Sequence, residues 1–287
     1  MTICFFATDL HGKVERYNKL FSRILSEKPE AVFLGGDLLP SGLYALTSNE
    51  TVVDDFINDF LVTEFQKLKN KMGNKYPHVF LILGNDDSTI NEQYFIDGQQ
   101  LNIWEYIHNK KTKFKDFNIY GYSYVPPTPF QLKDWEKYDV SRYTDPGCVS
   151  PEEGWHSVKV LKHDLRYSTI EKDLKTLVGE NNLTNTIFLF HTPPYKTNLD
   201  RAALEGKMVD HVPLDVHVGS IAVKRFIKKN QPTITLHGHV HESARLTGTW
   251  KDKIGKTHLF TAAHDGPELA LIRFNKNHPE GSTRELI

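Results

Sequence analysis

Residues 3–11 read Ile3-Cys4-Phe5-Phe6-Ala7-Thr8-Asp9-Leu10-His11, and residues 234–241 read Ile234-Thr235-Leu236-His237-Gly238-His239-Val240-His241. Each is a short apolar run that gives way abruptly to carboxylate or imidazole side chains. Runs of this length, apolar on both faces, are expected for strands buried in a parallel sheet. Three more follow the same pattern. Ala31 to Leu34 runs into Gly35-Gly36-Asp37, Val79 to Leu83 into Gly84-Asn85-Asp86-Asp87, and Thr186 to Phe190 into His191. Between them lie helical periods: Val14, Tyr17, Leu20, Phe21, Ile24 and Leu25 mark one helix. A longer one carries Val52, Val53, Phe56, Ile57, Phe60, Leu61, Phe65 and Leu68 and ends near Gly73. Ser220 is placed to cap a helix running through Lys229. The alternation predicts an α/β fold. His258 to Ala263 and Leu269 to Phe274 read as two further strands, expected to be antiparallel, and the tail Gly281 to Ile287 is expected to fray.

Five strand ends thus deliver oxygen or nitrogen donors, and in an open α/β sheet the carboxyl ends of the strands are where ligands bind. Carboxylate oxygen mixed with imidazole suits Mn, Fe or Zn rather than a thiolate-loving metal. Seven donors exceed what one ion with an open position needs. They suit two ions that share a bridging carboxylate, roughly 3.5–4 Å apart, an arrangement that clamps and activates the oxygens of a phosphoryl displacement.

These residues resemble the calcineurin-like metallophosphoesterases, whose ordered pattern is D-x-H, G-D, G-N-H-D/E, a strand-end His, then G-H-x-H. The chain carries Asp9 and His11, Gly36 and Asp37, Gly84 and Asn85, His191, and Gly238-His239-Val240-His241. The resemblance implies a four-layer α/β/β/α sandwich with a dinuclear site of two divalent or trivalent ions. It implies Asp9, His11 and His241 on one ion, Asn85, His191 and His239 on the other, and Asp37 bridging them. It further implies attack on phosphorus by a metal-bridging hydroxide, its pKa lowered by two cations. One position departs. The family histidine that contacts phosphate and is often assigned leaving-group protonation is replaced by Asp86. Asp86 is thus a catalytic candidate by position. Beside two cations, however, a carboxylate stays ionised and makes a poor acid. An acid from elsewhere is expected, with His217 as the candidate, or else a substrate with a good leaving group. Asn85 and His217 are the candidate substrate contacts.

The whole chain of 287 residues is expected to be a single domain, with an aromatic-rich insert or lid at about 101–155. That stretch holds 12 of the 33 aromatics, and a few of them are candidates to wall the site. With 35 Lys plus Arg against 36 Asp plus Glu, the net charge of −1 lacks the positive field of a nucleic-acid or anionic-membrane binder. No nucleic acid or membrane partner is expected, no targeting segment is visible, and a cytoplasmic location is the expectation. Two cysteines exclude a disulfide framework. Of 14 histidines, eight lie between His191 and His264. Among the rest of these, His237 is expected as a core residue at a strand end and His264 as a turn residue. Lys110, Lys111, Lys113 and Lys115 are expected to form a solvated face.

The protein Ser/Thr phosphatases of the superfamily carry an arginine soon after G-D. Here Asp37 is followed by Leu-Leu-Pro-Ser-Gly, which argues against phosphoprotein substrates. Family branches without the histidine include diesterases. The expectation is therefore a small-molecule phosphodiesterase. The alternatives are a phosphomonoesterase on the same site and, in a different class, a metal-poor binding scaffold.

Overall fold

The computed structural model describes residues 3–40 and 55–287. In chain order the strands are β1 (Cys4–Ala7), β2 (Ala31–Gly35), β3 (His78–Ile82), β4 (Glu105–Tyr106), β5 (Lys110–Phe114), β6 (Phe117–Tyr122), β7 (Thr186–Phe190), β8 (Met208–Val209), β9 (Val212–Pro213), β10 (Ile234–His237), β11 (Lys251–Ile254), β12 (Thr257–Thr261), β13 (Ala270–Asn275) and β14 (His278–Leu286). The helices used below are α1 (Val14–Glu27), α2 (Thr63–Met72), α3 (Glu92–Gln100), α4 (Lys162–Tyr167), α5 (Ile170–Val178), α6 (Ile221–Asn230) and α7 (Ser243–Thr247). A π-helical turn, Phe56–Val62, leads into α2. Val52 and Val53, which the periodicity assigns to this helix, lie outside the described residues.

Two six-stranded sheets form, in the orders β14-β13-β1-β2-β3-β4 and β11-β12-β10-β7-β6-β5. The β1, β2, β3 and β4 neighbours pair in parallel, as do β6, β7, β10 and β12, while the outer strands β13, β14, β11 and β5 pair antiparallel. Successive side chains on a strand point to opposite faces, so a run apolar at every position must be covered twice. Phe5, Ala7, Val32 and Leu34 face Tyr17, Leu20 and Ile24 of α1 and Phe65 of α2. Phe6, Phe33, Phe80 and Ile82 face Ile187, Leu189, Leu236 and Phe260 of the other sheet. Phe188 and Phe190 face Leu174 of α5 and Val223 and Phe226 of α6. These three buried clusters are the seams between four layers, α/β/β/α, as the resemblance implies.

Three expectations are corrected. The strands β12 and β13 do not pair. β12 lies between β10 and β11 in one sheet, and β13 lies between β1 and β14 in the other. Their link crosses from one sheet to the other instead of making a hairpin. The tail does not fray: β14 pairs with β13, and Leu269 and Ile287 exchange backbone hydrogen bonds of 2.8 and 3.0 Å. An antiparallel edge strand needs only backbone partners, so its polar sequence concealed it. The aromatic-rich stretch 101–155 is also divided. Its first part supplies β4, β5 and β6 to the two sheets, and only the residues after Tyr122 form an irregular cover. Trp104 and Trp135 are buried in the cluster against the helices of the first sheet. The lysines at 110, 111 and 113 stand on the edge strand β5, where their charge discourages pairing with another chain.

The cover is tied down by buried polar groups. Lys133 Nζ donates to Glu136 Oε2 at 2.5 Å, with both side chains fully buried. The Asp139 carboxylate accepts from Ser220 Oγ at 2.5 Å and from the backbone N–H of Ile221 at 2.6 Å, capping α6 from outside its own loop. Ser220 Oγ in turn accepts from Val223 N at 3.0 Å, which is the expected cap. Among the described residues, no helix is long and apolar enough to cross a membrane.

Between the sheets, Phe33 is fully buried, with its ring 5.3 Å from that of Phe80 and 5.8 Å from that of Phe274. Phe33→Ala leaves a cavity that neither sheet can fill. It is expected to lower unfolding stability by about 3–5 kcal/mol in denaturant titration. A loss below about 1 kcal/mol would mean that the sheets collapse onto the gap.

Candidate metal centre

The carboxyl ends of β1, β2 and β3 in one sheet and of β7 and β10 in the other converge on a single edge. The backbone there is unusual. Asp9, His11, Asp37 and His239 all take the left-handed conformation, with φ of 55°, 47°, 51° and 74°. A residue with a Cβ pays roughly 1–2 kcal/mol for that geometry, and such strain gathers at functional sites. The turns are locked by backbone hydrogen bonds: Asp9 N donates to Gly36 O at 3.0 Å, and His11 N donates to Asp37 O at 2.8 Å. Gly36 has φ of +97°, and a Cβ at Gly84 would sit 2.3 Å from Asp37 Oδ1. Gly36 is therefore required by dihedral angle as well as by close approach, and Gly84 by close approach.

Two buried charges that sequence reasoning passed over hold these loops. The Asp87 carboxylate accepts from the backbone N–H of Leu38 at 2.9 Å, Leu39 at 2.8 Å and Gly84 at 2.9 Å, joining the turns after β2 and β3. Burial and the nearby Asp37 push its pKa up to about 7 despite those bonds. Arg16 of α1 donates to Asp9 O and to Gly266 O, each at 2.5 Å, and so grips the carbonyl of a strained residue. A charged side chain on the apolar face of the 14–27 period was the available signal for Arg16. For Asp87 the only signal was its place in the motif.

All seven expected ligands come together here. Asp9, His11, Asp37 and His241 each offer a donor atom, and these atoms lie within 4.8 Å of one another. His11 Nε2 is 3.1 Å from His241 Nε2, which is 3.2 Å from Asp9 Oδ1. Alongside them, His191 Nε2 is 3.0 Å from Asn85 Oδ1 and 3.3 Å from Asp37 Oδ2, and the His191 ring is 5.3 Å from that of His239. Asp37 Oδ2 is also 4.0 Å from His11 Nε2, so it faces both sets.

The donor chemistry fits a metal. His191 Nδ1–H donates to Gly35 O at 2.8 Å, and a carbonyl can only accept. Its Nε2 therefore faces two oxygen acceptors, Asn85 Oδ1 and Asp37 Oδ2, and some cation must stand between them. With protons alone, that cation is a proton on the ring. Burial would lower the His191 pKa, but the Asp37 charge outweighs it and raises it well above the usual imidazole range. Burial would likewise raise Asp37, and the charge of His191 outweighs it, holding the carboxyl well below its ordinary value. Burial pushes His239 down to about 3 and lowers His11. Both are thus neutral with a lone pair to offer, the state in which imidazole ligates a metal.

Asp86 stands beside the same atoms. Its backbone N–H donates to Asp37 Oδ1 at 2.8 Å, its Oδ1 accepts from Asn85 Nδ2 at 3.2 Å, and its Oδ2 is 3.5 Å from His11 Nδ1. Burial first and the Asp37 charge second push its pKa up to about 7. His217 is not drawn into the cluster. Among the described contacts its Nδ1 meets Asp200 Oδ1 at 2.9 Å and it touches none of the seven. His237 is a core residue as expected, with Nδ1–H donating to Thr192 O at 2.9 Å and its ring stacked on Phe190. His264 pairs with Glu268 at 2.9 Å.

Two solved structures share this architecture. TT1561 of Thermus thermophilus superposes with a TM-score of 0.58 at 14% identity, covering 99% of this chain and 98% of its own. A dimetal phosphatase from Danio rerio gives a TM-score of 0.52 at 10% identity, covering 95% of this chain and 91% of its own. At such identities the likeness concerns the fold alone. No curated protein matches the sequence. A family model described as calcineurin-like phosphoesterase matches residues 4–243, a span that takes in every strand-end motif from Asp9 to His241. The chain belongs to the calcineurin-like phosphoesterase family.

Proposed function

We propose that the protein is a dinuclear metal-dependent phosphodiesterase acting on a small-molecule substrate. The family hydrolyses phosphate esters, and the cluster of Asp and His residues is one that could hold metal. In this reading Asp9, His11 and His241 would hold one ion, Asn85, His191 and His239 would hold the other, and Asp37 would be shared between them. Two cations of the Mn, Fe or Zn type would supply an activated water and neutralise charge on the phosphoryl oxygens. The chain's own residues prepare the site. The Gly35 carbonyl fixes which nitrogen His191 presents. Asp9 Oδ1 accepts from the backbone N–H of His239 at 3.1 Å and so ties the first turn to the last. All seven positions carry a residue able to ligate a metal, which favours the enzyme over the scaffold reading.

One observation carries the diester choice: the Asp86 carboxylate lies against His11 and Asn85, where the family has a histidine. Cations nearby keep that carboxylate ionised. It then opposes a dianionic monoester more strongly than a monoanionic diester. It also removes the leaving-group acid, which favours esters whose leaving group departs unaided. Asn85 and His217 are the proposed substrate contacts, His217 being oriented through Nδ1 by the buried Asp200.

The purified protein is expected to hold close to two ions per chain by elemental analysis, whereas a scaffold holds well under one. Chelation should abolish turnover, and Mn²⁺ should restore it better than Mg²⁺, given the imidazole-rich ligands. Asp37→Ala should lose both metal and turnover. Full activity in that variant with metal present would be incompatible with a bridging role. Across a panel of mono- and diesters with Mn²⁺ added, the diesters should turn over faster. Asp86→His should accelerate esters with alkyl leaving groups relative to aryl ones by roughly 10²-fold, the scale of general acid catalysis. Leaving-group dependence identical in both proteins would remove this account of Asp86.

A further inference from the structure

Asp86 touches a residue from each ligand set and the residue between them. Each contact determines which donor atom its neighbour can present. A carboxylate accepts hydrogen bonds and does not donate them. The Asp86 Oδ2 charge stands 3.5 Å from His11 Nδ1, an ion-pair contact rather than a hydrogen bond, and its field favours the proton on that nitrogen and the lone pair on Nε2. Nε2 is the atom that stands 3.1 Å from His241 Nε2 and 4.0 Å from Asp37 Oδ2. Asp86 Oδ1 accepts from Asn85 Nδ2, so the amide turns its oxygen the other way, to 3.0 Å from His191 Nε2. The backbone N–H of Asp86 occupies Asp37 Oδ1 and leaves Oδ2 toward the imidazoles.

We infer that Asp86 is a positioning residue for metal binding. Its two carboxylate oxygens set His11 as an Nε2 ligand and Asn85 as an Oδ1 ligand, one on each ion. The inference rests on the dinuclear reading proposed above. It also explains why the residue type matters. A neutral imidazole has one acceptor nitrogen and no negative charge, so it cannot accept from Asn85 and also present a charge to His11. A histidine at position 86 would therefore give up this orienting function while supplying an acid. The partner that fixes a ligating histidine's tautomer is worth about 10- to 100-fold in metal affinity when removed.

The test is Mn²⁺ titration of the metal-free protein by calorimetry, with imidazole nitrogen NMR on histidine-labelled samples to read the His11 tautomer. At about pH 8.5, where the Asp86 carboxyl is ionised without metal, the wild type should bind two Mn²⁺ with His11 already protonated at Nδ1 before metal is added. Asp86→Ala should weaken Mn²⁺ binding about 10- to 100-fold and leave His11 a mixture of tautomers. Asp86→Asn keeps the shape and one acceptor oxygen, so its affinity should fall between the two. It also carries the test if the alanine variant does not fold. Mn²⁺ affinity within two-fold of wild type in both variants, or an unchanged His11 tautomer, overturns the inference and leaves the dinuclear reading standing. A wild type that takes up no Mn²⁺ overturns both.

Discussion

Three carboxylates, Asp9, Asp37 and Asp87, are buried side by side at one strand edge, and the rest of the structure is arranged to make that tolerable. Taking a carboxylate out of water costs several kcal/mol unless donors or positive charge replace the lost solvent. Asp87 meets the demand with backbone N–H groups of two turns. Asp9 meets part of it with the N–H of His239, and Asp37 with the N–H of Asp86. What remains is directed at imidazoles, and it is this residual negative charge that gives the site its affinity for cations. The left-handed turns and the glycines follow from the same need, since they bring backbone N–H groups and carboxylates within reach of each other.

The strand ends were readable because ligand chemistry and strand chemistry are both local: an apolar run followed by a donor. The five runs, the α1 period and the Ser220 cap all appear within a residue or two of where the sequence places them. Pairing was not readable in the same way. Leu269 to Phe274 and His258 to Ala263 look like neighbours because the link is short. Yet Phe274 and Phe260 face each other across the inter-sheet core with rings 6.1 Å apart, one from each sheet. A two-residue period tells which face is buried, not which strand lies alongside. Arg16 and Asp87 were missed for a related reason. Their burial is set by partners distant in sequence, Gly266 for one and Leu38 for the other.

The cover after Tyr122 shows how an irregular segment can be positioned without a core of its own. Asp134 accepts from Thr89 N at 2.7 Å and from Ser157 N at 2.8 Å, so the cover is pinned beside the turn that carries Asn85 and Asp86. Asp139 pins it to the start of α6. Its aromatics are divided between the helical seam, where Trp135 sits, and solvent, where Phe130, Tyr143 and Trp155 are more than half exposed.

The two halves of the candidate metal centre belong to different sheets. Asp9, Asp37 and Asn85 leave β1, β2 and β3, while His191, His239 and His241 leave β7 and β10. Backbone hydrogen bonds reach both sheets from the short segment after β4, where the Ile107 N–H donates to Leu81 O and the Asn109 N–H to Gly121 O; nearer the site, packed side chains set the spacing and sideways alignment of the sheets. Metal–ligand bonds tolerate errors of about 0.2 Å. The seam of Phe6, Phe33, Phe80 and Phe260 thus works as a spacer gauge, whose thickness determines whether the two half-sites meet at bonding distance or fall short.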